Sequence, residues 1–254
     1  MAHEALIETG RYRARLAADD ADVRRALALR TQAFRKGQAL DRDAFDARCR
    51  HVLVETVGSG ELVGSYRLLT LRDGREIGES YAAQYYDLGA LHAFDAPMIE
   101  VGRFCLAPDV ADGDVLRVAW AALTRLVDRE RIGMLFGCSS FPGTAVADHA
   151  DALALLAARH VAPAKWRPCE KAPEVVRFAQ DIPPNADPKL GPRHLPSLLR
   201  TYLLMGGWVS DHAVIDRDLG TLHVFTGLEI DAVPAGRARA LRALAGEGAA
   251  AVAS

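Results

Sequence analysis

The sequence predicts an α/β (α+β) fold in which a mixed central sheet is flanked by helices. Two patterns predict it: short β-rich apolar runs recur along the chain, and the segments between them carry apolar residues at helical spacing. Elements that alternate in this way pack as helices against a sheet. The chain has 254 residues, 50% of them hydrophobic and 25% charged, so it is long enough to bury a sizeable core.

The first part of the chain supplies a strand, a helix and a hairpin. Residues 12–16 alternate apolar and charged side chains, as a half-exposed strand does. Acidic residues at 19–22 predict the start of a helix that ends near Arg35. Two β-rich runs, residues 51–56 and 62–71, flank a glycine-containing turn and predict an antiparallel hairpin.

The middle of the chain alternates helices with strands. Residues 79–86 predict a short aromatic helix, and residues 98–106 predict a strand that Pro108 ends. Asp112 predicts the cap of an amphipathic helix. A strand and an alanine-rich helix follow it at residues 135–140 and 148–159.

The last part of the chain is dominated by proline. Eight of the twelve prolines lie in residues 163–196, which rules out a long helix or a central strand there and predicts an extended covering loop. A helix at 195–205 and a second hairpin at 208–213 and 221–230 follow. We therefore predict a single domain at residues 11–232, an insertion with an extra helix at 163–205, and an alanine-rich tail at 233–254.

Several functional classes are disfavoured by composition. A net charge of −2 without a dense Lys/Arg block argues against nucleic acid as a partner. No apolar run approaches the roughly 20 residues that span a bilayer, and the N-terminus lacks the pattern of a signal peptide, so we expect a cytoplasmic protein. The four cysteines form no C-x-x-C pair, and His149 and His160 have no third ligand nearby, so we expect no metal.

The strand at residues 98–106 carries two opposite charges within an apolar run. Glu100 and Arg103 lie three residues apart, so a regular strand would point them to opposite faces. Gly102 between them is typical of a bulge or of close approach to a ligand. From these residues alone, a structural ion pair and a functional site are both open interpretations.

The order of the elements is similar to that of GCN5-related N-acyltransferases (GNAT), whose acyl donor occupies a splayed gap between strands 4 and 5, here residues 98–106 and 135–140. Glu100-Val-Gly-Arg-Phe104 resembles the signature strand of the acyl-homoserine-lactone (autoinducer) synthases, which belong to the same superfamily. The resemblance implies that the functional residues of that family correspond here to Arg30, Phe34, Asp43, Asp46, Arg67, Glu100 and Arg103.

A second resemblance, over about residues 11–230, is to the haemolysin-like branch that makes lyso-ornithine lipid. The motifs that carry it include Gly64-Ser-Tyr-Arg-Leu-Leu69, the segment Phe136 to Thr144, and Leu195 to Leu203. The resemblance implies transfer of a 3-hydroxyacyl chain from acyl carrier protein to L-ornithine. No R/Q-x-x-G-x-G/A loop for coenzyme A follows the Glu100 strand. A carrier protein brings its own 4′-phosphopantetheine, so no tightly bound cofactor is expected.

The resemblance also implies roles for individual residues. Glu100 is the expected general base, and backbone N–H groups at 102–104 are the expected donors to the thioester oxygen. Arg67 or Arg30 is expected to clamp the substrate carboxylate, and Asp43 or Asp46 to receive the ornithine ammonium. Ser140 is a further expected substrate contact. The expected docking residues for the acidic carrier protein are Arg117, Arg125, Arg129 and Lys165.

Other interpretations remain open at this stage. Asp43 and Asp46 are equally consistent with loop caps, with Arg30 and Arg67 as their structural partners. The arginines on the predicted helix after Asp112 also fit a solvent-exposed helix face. Residues 195–205 fit either a core helix or a helix that lies on the inner surface of the membrane. Alternative functions are an autoinducer synthase, an acyltransferase for another amino acid, and a non-catalytic acyl-binding module.

A covalent acyl-enzyme at residues 138–140 is disfavoured because there is no G-x-S-x-G elbow.

Overall fold

The computed structural model describes residues 5–110 and 112–252, which fall into two compact units. Unit 1 comprises Met1–Thr70, Val101–Ile132 and Ala235–Ser254, and unit 2 comprises Leu71–Glu100 and Gly133–Pro234. The predicted domain bounds and the assignment of residues 163–205 as an insertion stay predictions.

In chain order, the strands of the described residues are β1 (Ala5–Thr9), β2 (Tyr12–Leu16), β3 (Arg50–Thr56), β4 (Leu62–Leu71), β5 (Tyr86–Asp87), β6 (Met98–Leu106), β7 (Met134–Pro142), β8 (Cys169–Glu170), β9 (Val175–Arg177), β10 (Trp208–Val209), β11 (His212–Asp216) and β12 (Thr221–Glu229). The α-helices are α1 (Asp20–Arg35), α2 (Gly113–Glu130), α3 (Ala150–Arg159), α4 (Phe178–Asp181), α5 (Gly191–His194), α6 (Ser197–Leu204) and α7 (Ala235–Val252). Short 3₁₀ turns lie at Gly74–Glu79, Ala82–Gln84, Gly89–Ala93, Val146–His149, Ala164–Trp166 and Ile230–Ala232.

Unit 1 is an antiparallel sheet with helices packed against it. Strands β1 to β4 pair in chain order, and the second half of β6 lies beside β4, where Ala107 N–H donates to the Val63 carbonyl at 2.9 Å. The buried face of α2 packs against β1, β2 and β3, and the Tyr66 hydroxyl donates to the Ala119 carbonyl at 3.1 Å. Helix α7 packs against β1 and α2.

Helices α1 and α2, which flank this sheet, begin where acidic residues predict. The Asp19 side chain accepts the Asp22 N–H at 2.9 Å at the start of α1, and the Asp112 side chain accepts the Asp114 N–H at 2.9 Å at the start of α2. These side chains satisfy backbone donors that the first turn of a helix leaves without partners. The predicted starts of both helices are therefore confirmed.

A buried ion cluster joins α1 to the sheet. The Arg15 guanidinium of β2 lies 2.8 Å from the Asp22 carboxylate of α1 and 2.8 Å from the Glu55 carboxylate of β3. Arg25 also donates to Glu55, at 2.7 Å. Burying these charges is costly unless they are paired, so the cluster fixes α1, which carries Arg30, over β2 and β3.

Unit 2 is built around a mixed sheet. The first half of β6 pairs in parallel with β7, through Met98–Met134, Ile99–Leu135 and Glu100–Phe136. Strand β7 is antiparallel to β12 along its whole length, and β12, β11 and β9 continue the sheet. Helices α3 and α6 pack against this sheet, with Leu153, Leu156 and Leu199 in the core. Strands β5 and β8 form a separate pair.

Most predicted elements are confirmed, and several differ from the structure. The predicted strand at residues 208–213 is wrong, because β10 and β11 are separate strands that each pair with β12. Strands β4 and β6 have the predicted bounds, and α1 ends at Arg35 as expected. Strand β1 was not predicted. Residues 79–86 form 3₁₀ turns and part of β5 instead of an aromatic helix. The proline-rich segment has no long helix, as predicted, but it is more than a covering loop because β9 pairs with β11 at the sheet edge.

Helix α6 belongs to the core of unit 2. Leu199, Tyr202 and Leu203 are buried, which favours the interpretation of this segment as a core helix. Leu204 is exposed on its outer side. No helix among the described residues is long and apolar enough to span a bilayer.

We predict that Glu55→Gln lowers the free energy of unfolding by about 3 to 5 kcal/mol, because it leaves buried arginines without a carboxylate partner. Urea unfolding followed by circular dichroism measures this. The matched control is Glu174→Gln, since Glu174 pairs with Arg217 at the surface, where the loss of stability should be much smaller. Equal losses in the two variants would show that the buried cluster does not hold α1.

Candidate functional site

The centre of unit 1 is a network of three arginines and three aspartates. Arg30 of α1 donates through Nε to Asp41 at 2.9 Å and through Nη1 to Asp46 at 2.5 Å. Arg67 of β4 forms a bidentate pair with Asp43, with distances of 2.6 and 2.9 Å, and also reaches Asp46 at 2.7 Å. All the acids come from the loop between α1 and β3.

The third arginine comes from the irregular part of β6. Arg103 has a left-handed backbone, with a φ of 51°, so the predicted irregularity falls at Arg103 itself and not at Gly102. Its guanidinium lies 3.1 Å from Asp41 and 3.5 Å from Asp43. It also lies 5.9 Å from the centre of the Phe34 ring, within the range of a cation–π contact.

The network is buried. The side chains of Arg30 and Arg67 are 1% and 3% exposed, whereas that of Asp43 is 25% exposed. Burial alone would raise the pKa of Asp46, but hydrogen bonds from Arg30 and from the Asp43 N–H lower that pKa to about 2. The pKa of Asp43 is also lowered, because the bonds from Arg67 outweigh the effect of burial. Asp43 and Asp46 are therefore ionised at neutral pH.

His51 supports the network from β3. Its Nε2 lies 3.1 Å from the Asp46 carbonyl, and on β3 it is paired with Arg67 of β4. Burial lowers the pKa of His51, and the nearby Arg30 and Arg67 lower it further. The imidazole is therefore neutral at neutral pH and adds no charge to the network.

Sequence reasoning placed five of the six charged residues of this network among the candidates but missed Asp41. Asp41 lies in the same acidic loop as Asp43 and Asp46, and no local pattern in the sequence distinguishes it as a partner of the arginines. Arg30 and Arg67 do pair with these acids, as the structural interpretation expected. Their expected contact with the substrate carboxylate stays a prediction.

Glu100 lies in unit 2, at the last pair of the β6–β7 ladder. Its side chain is buried, and each carboxylate oxygen accepts a backbone N–H: Oε2 from Tyr81 at 2.8 Å and Oε1 from Ala82 at 2.7 Å. These two bonds fix the orientation of the carboxylate. They also explain the 3₁₀ turn, because Glu100 binds the N–H groups at its start.

Two other predicted residues lie in unit 2. Ser140 is exposed on β7, where it pairs with His223 of β12. Lys165 is exposed, lies 3.2 Å from Glu229, and packs over the Trp166 ring at 4.6 Å.

The three arginines predicted on α2 for docking have different environments. Arg117 and Arg129 are exposed and pair with Asp114 and Glu130 of the same helix, at 2.9 and 3.2 Å. Arg125 is half-buried, and its Nη1 donates to the Leu6 carbonyl of β1 at 2.7 Å. Arg125 therefore joins α2 to the sheet, and its description as part of a purely solvated face is wrong.

Comparison with known proteins identifies similar sequences. Residues 25–121 match the family described as an acetyltransferase (GNAT) domain. An L-ornithine N(alpha)-acyltransferase from Rhodobacter capsulatus is 33% identical over 238 residues, which cover 87% of this chain and 91% of that protein. An L-ornithine N(alpha)-acyltransferase from Rhizobium meliloti is 31% identical over 198 residues, which cover 75% of this chain and 67% of that protein.

A solved structure is similar over most of the chain. FeeM, an N-acyl amino acid synthase from uncultured soil microbes, matches 88% of this chain and 93% of its own, with a TM-score of 0.50 and 13% identity. This likeness concerns the fold. Together with the family match, it confirms the predicted GNAT-like α+β fold with a mixed sheet and flanking helices.

We predict that Asp46 makes the protein sensitive to acid. Its pKa is near 3.9 when unfolded and about 2 when folded, so its stabilisation is complete above pH 4 and is lost as the pH falls to 2. Asp46→Asn should lower the free energy of unfolding at pH 7 by about 3 to 5 kcal/mol and flatten its decline between pH 4 and 2. Urea unfolding at several pH values measures both effects.

The matched control for this measurement is Asp128→Asn, which removes an exposed partner of Arg242. It should keep the acid dependence of the original protein. An Asp46→Asn variant with that same dependence would contradict the assignment.

Proposed function

The chain belongs to the family of GNAT acyltransferases that includes the L-ornithine N(alpha)-acyltransferases, and from this membership we propose that it transfers a 3-hydroxyacyl chain from acyl carrier protein to the α-amine of L-ornithine. The product is lyso-ornithine lipid. The observation that carries the proposal is that the chain matches 91% of the L-ornithine N(alpha)-acyltransferase from Rhodobacter capsulatus. That match extends well beyond residues 25–121, the segment that matches the general acetyltransferase (GNAT) domain.

The sequence after β6 supports a carrier protein as acyl donor. Residues 107–116 contain no R/Q-x-x-G-x-G/A loop, the nest of backbone N–H groups that binds the pyrophosphate of coenzyme A. An acyl donor that is bound through its carrier protein does not need that loop. Arg117, Arg129 and Lys165 are exposed and remain the proposed contacts of an acidic carrier protein.

Glu100 is the proposed general base. The carboxylate takes one proton from the α-ammonium of ornithine, directly or through water, and the free amine attacks the thioester carbon. The C–S bond then breaks, and the second proton that the nitrogen loses goes to the sulfur, so the phosphopantetheine leaves as a thiol. Two features support this role: the carboxylate is buried, and the two backbone N–H bonds fix its orientation. The same bonds make Glu100 an anchor of the Tyr81–Ala82 turn, so the test must separate the two roles.

The Arg–Asp network ties Arg103, and with it the second half of β6, to the loop that carries Asp41 and Asp43. The roles expected for Arg30, Arg67 and Asp46 in direct substrate binding, and for the backbone N–H groups at 102–104, remain predictions.

We predict that the purified protein acylates L-ornithine when it is given 3-hydroxyacyl carrier protein, with much lower rates from the matching acyl-coenzyme A. Mass spectrometry of products from ornithine, glycine, glutamine and S-adenosylmethionine measures the acceptor. An acyl-homoserine lactone from S-adenosylmethionine would instead support an autoinducer synthase. No acyl transfer to any acceptor, with the acyl chain bound, would support a non-catalytic module.

We predict that Glu100→Gln lowers kcat about 100-fold or more, because the amide cannot take the proton. The rate should recover at high pH, where solvent deprotonates the amine. If Glu100 is only an anchor, the midpoint of thermal unfolding will fall and the pH profile of kcat will keep its shape. Glu79→Gln, in the exposed turn before the anchored segment, is the matched control and should keep the original rate.

A further inference from the structure

The Arg–Asp network is poorly suited to receive the side-chain ammonium of ornithine. Asp43 is its most exposed carboxylate, yet Arg67 binds both of its oxygens and Arg103 lies near one of them. Its three aspartates face three arginines, and Arg35 adds a further positive charge 3.6 Å from Asp41. A substrate cation would meet no net negative charge in this network. The side-chain ammonium of a diamino acid must therefore be recognised elsewhere in the protein.

Unit 2 contains an aromatic corner, formed by Tyr81 and Tyr85. The two rings are tilted by 53° with their centres 5.4 Å apart, and their hydroxyls lie 3.2 Å from each other. Both side chains are half-buried, so part of each side chain is accessible to a ligand. The face of a tyrosine ring carries negative potential, so two tilted faces attract a cation.

The corner is held from behind by buried groups. The Tyr85 ring packs edge-on against His223, with centres 4.9 Å apart and an angle of 81°. The Tyr86 hydroxyl has one proton, which it donates to the His223 carbonyl at 2.8 Å. The 3.0 Å contact with His223 Nδ1 therefore requires Nδ1 to be the donor, which fixes the tautomer and the orientation of the ring.

The charge around the corner also suits a cation. The pKa of Tyr85 lies well above its ordinary value, mainly because of burial and then because of its bond to Tyr81, so the hydroxyl stays neutral. The buried Asp216 makes a smaller contribution in the same direction to the pKa of Tyr85. A neutral tyrosine keeps the ring face that attracts a cation.

The corner is also close to the proposed base. Tyr81 donates its backbone N–H to Glu100 at 2.8 Å, so the residue that carries one ring of the corner also contacts the carboxylate. An amino acid with its two amines separated by a few methylene groups could place the α-amine at Glu100 and the second amine at the rings.

We propose that the Tyr81–Tyr85 corner binds the cationic side chain of the acyl acceptor, and so selects amino acids with a second ammonium. This inference rests on the proposed function, in which the acceptor is an amino acid and Glu100 takes the proton of its α-amine. Asp43 and Asp46 then serve the structure of unit 1.

The test compares acceptors that differ only in the second amine: L-ornithine with L-norvaline, and L-lysine with L-norleucine. Tyr85→Leu keeps the bulk of an apolar side chain but removes the ring, and it should lower the ornithine-to-norvaline ratio of kcat/KM about 5- to 30-fold. The loss should appear mainly in KM for ornithine. Tyr85→Phe keeps the ring face and should keep most of the ratio.

Tyr81→Leu is the second variant and should act in the same direction, while Tyr12→Leu, a tyrosine of unit 1 bonded to Asp112, should leave the ratio unchanged. An unchanged ratio in folded Tyr85→Leu and Tyr81→Leu, or an equal loss for both acceptors, would overturn the inference. Thermal unfolding identifies the folded variants.

The unmodified protein separates this inference from the proposed function. If it acylates lysine but not ornithine, the proposed function fails and the lysine-to-norleucine ratio still tests the corner. If the unmodified protein prefers norvaline to ornithine and norleucine to lysine, the proposed role of the Tyr81–Tyr85 corner is wrong, whichever amino acid is the natural acceptor.

Discussion

The pairing of buried guanidinium groups with carboxylates is the interaction on which unit 1 depends. Arg30, Arg67 and Arg103 come from a helix and two strands, and they meet acids from a single loop. An isolated buried charge would cost several kcal/mol, so these elements are stable only when all of them are in place. The network therefore couples α1, β4 and β6, and it sets the course of the loop between α1 and β3.

The same requirement explains the backbone of Arg103. A left-handed conformation is unfavourable for a residue with a side chain, and a strand rarely contains one. Here it accompanies a guanidinium that contacts Asp41, Asp43 and the Phe34 ring. The charge interactions offset the local cost, and β6 is irregular one residue after the glycine at which the sequence predicts a bulge.

Glu100 plays a corresponding part in unit 2. Its carboxylate holds the turn at Tyr81 and Ala82, and that turn leads to Tyr85, whose ring packs against His223. One side chain thus connects a strand end, a 3₁₀ turn and an aromatic cluster. This arrangement explains why a single acid can be both a structural anchor and a candidate for proton transfer, and why unfolding and kinetic measurements are needed together.

The sequence by itself determined the local elements and the types of residue at the site. Capping aspartates and apolar periodicity identified α1 and α2, β-rich runs identified β4 and β6, and charges in apolar surroundings marked Arg67, Glu100 and Arg103. These signals depend only on residues that are close in the sequence, so they can be recognised without knowing the fold. Only the tertiary structure decided that Asp41 completes the network, that residues 79–86 form turns, and that Arg125 binds the Leu6 carbonyl. Each depends on a partner far away in the chain, and no local pattern encodes which distant group a side chain will meet.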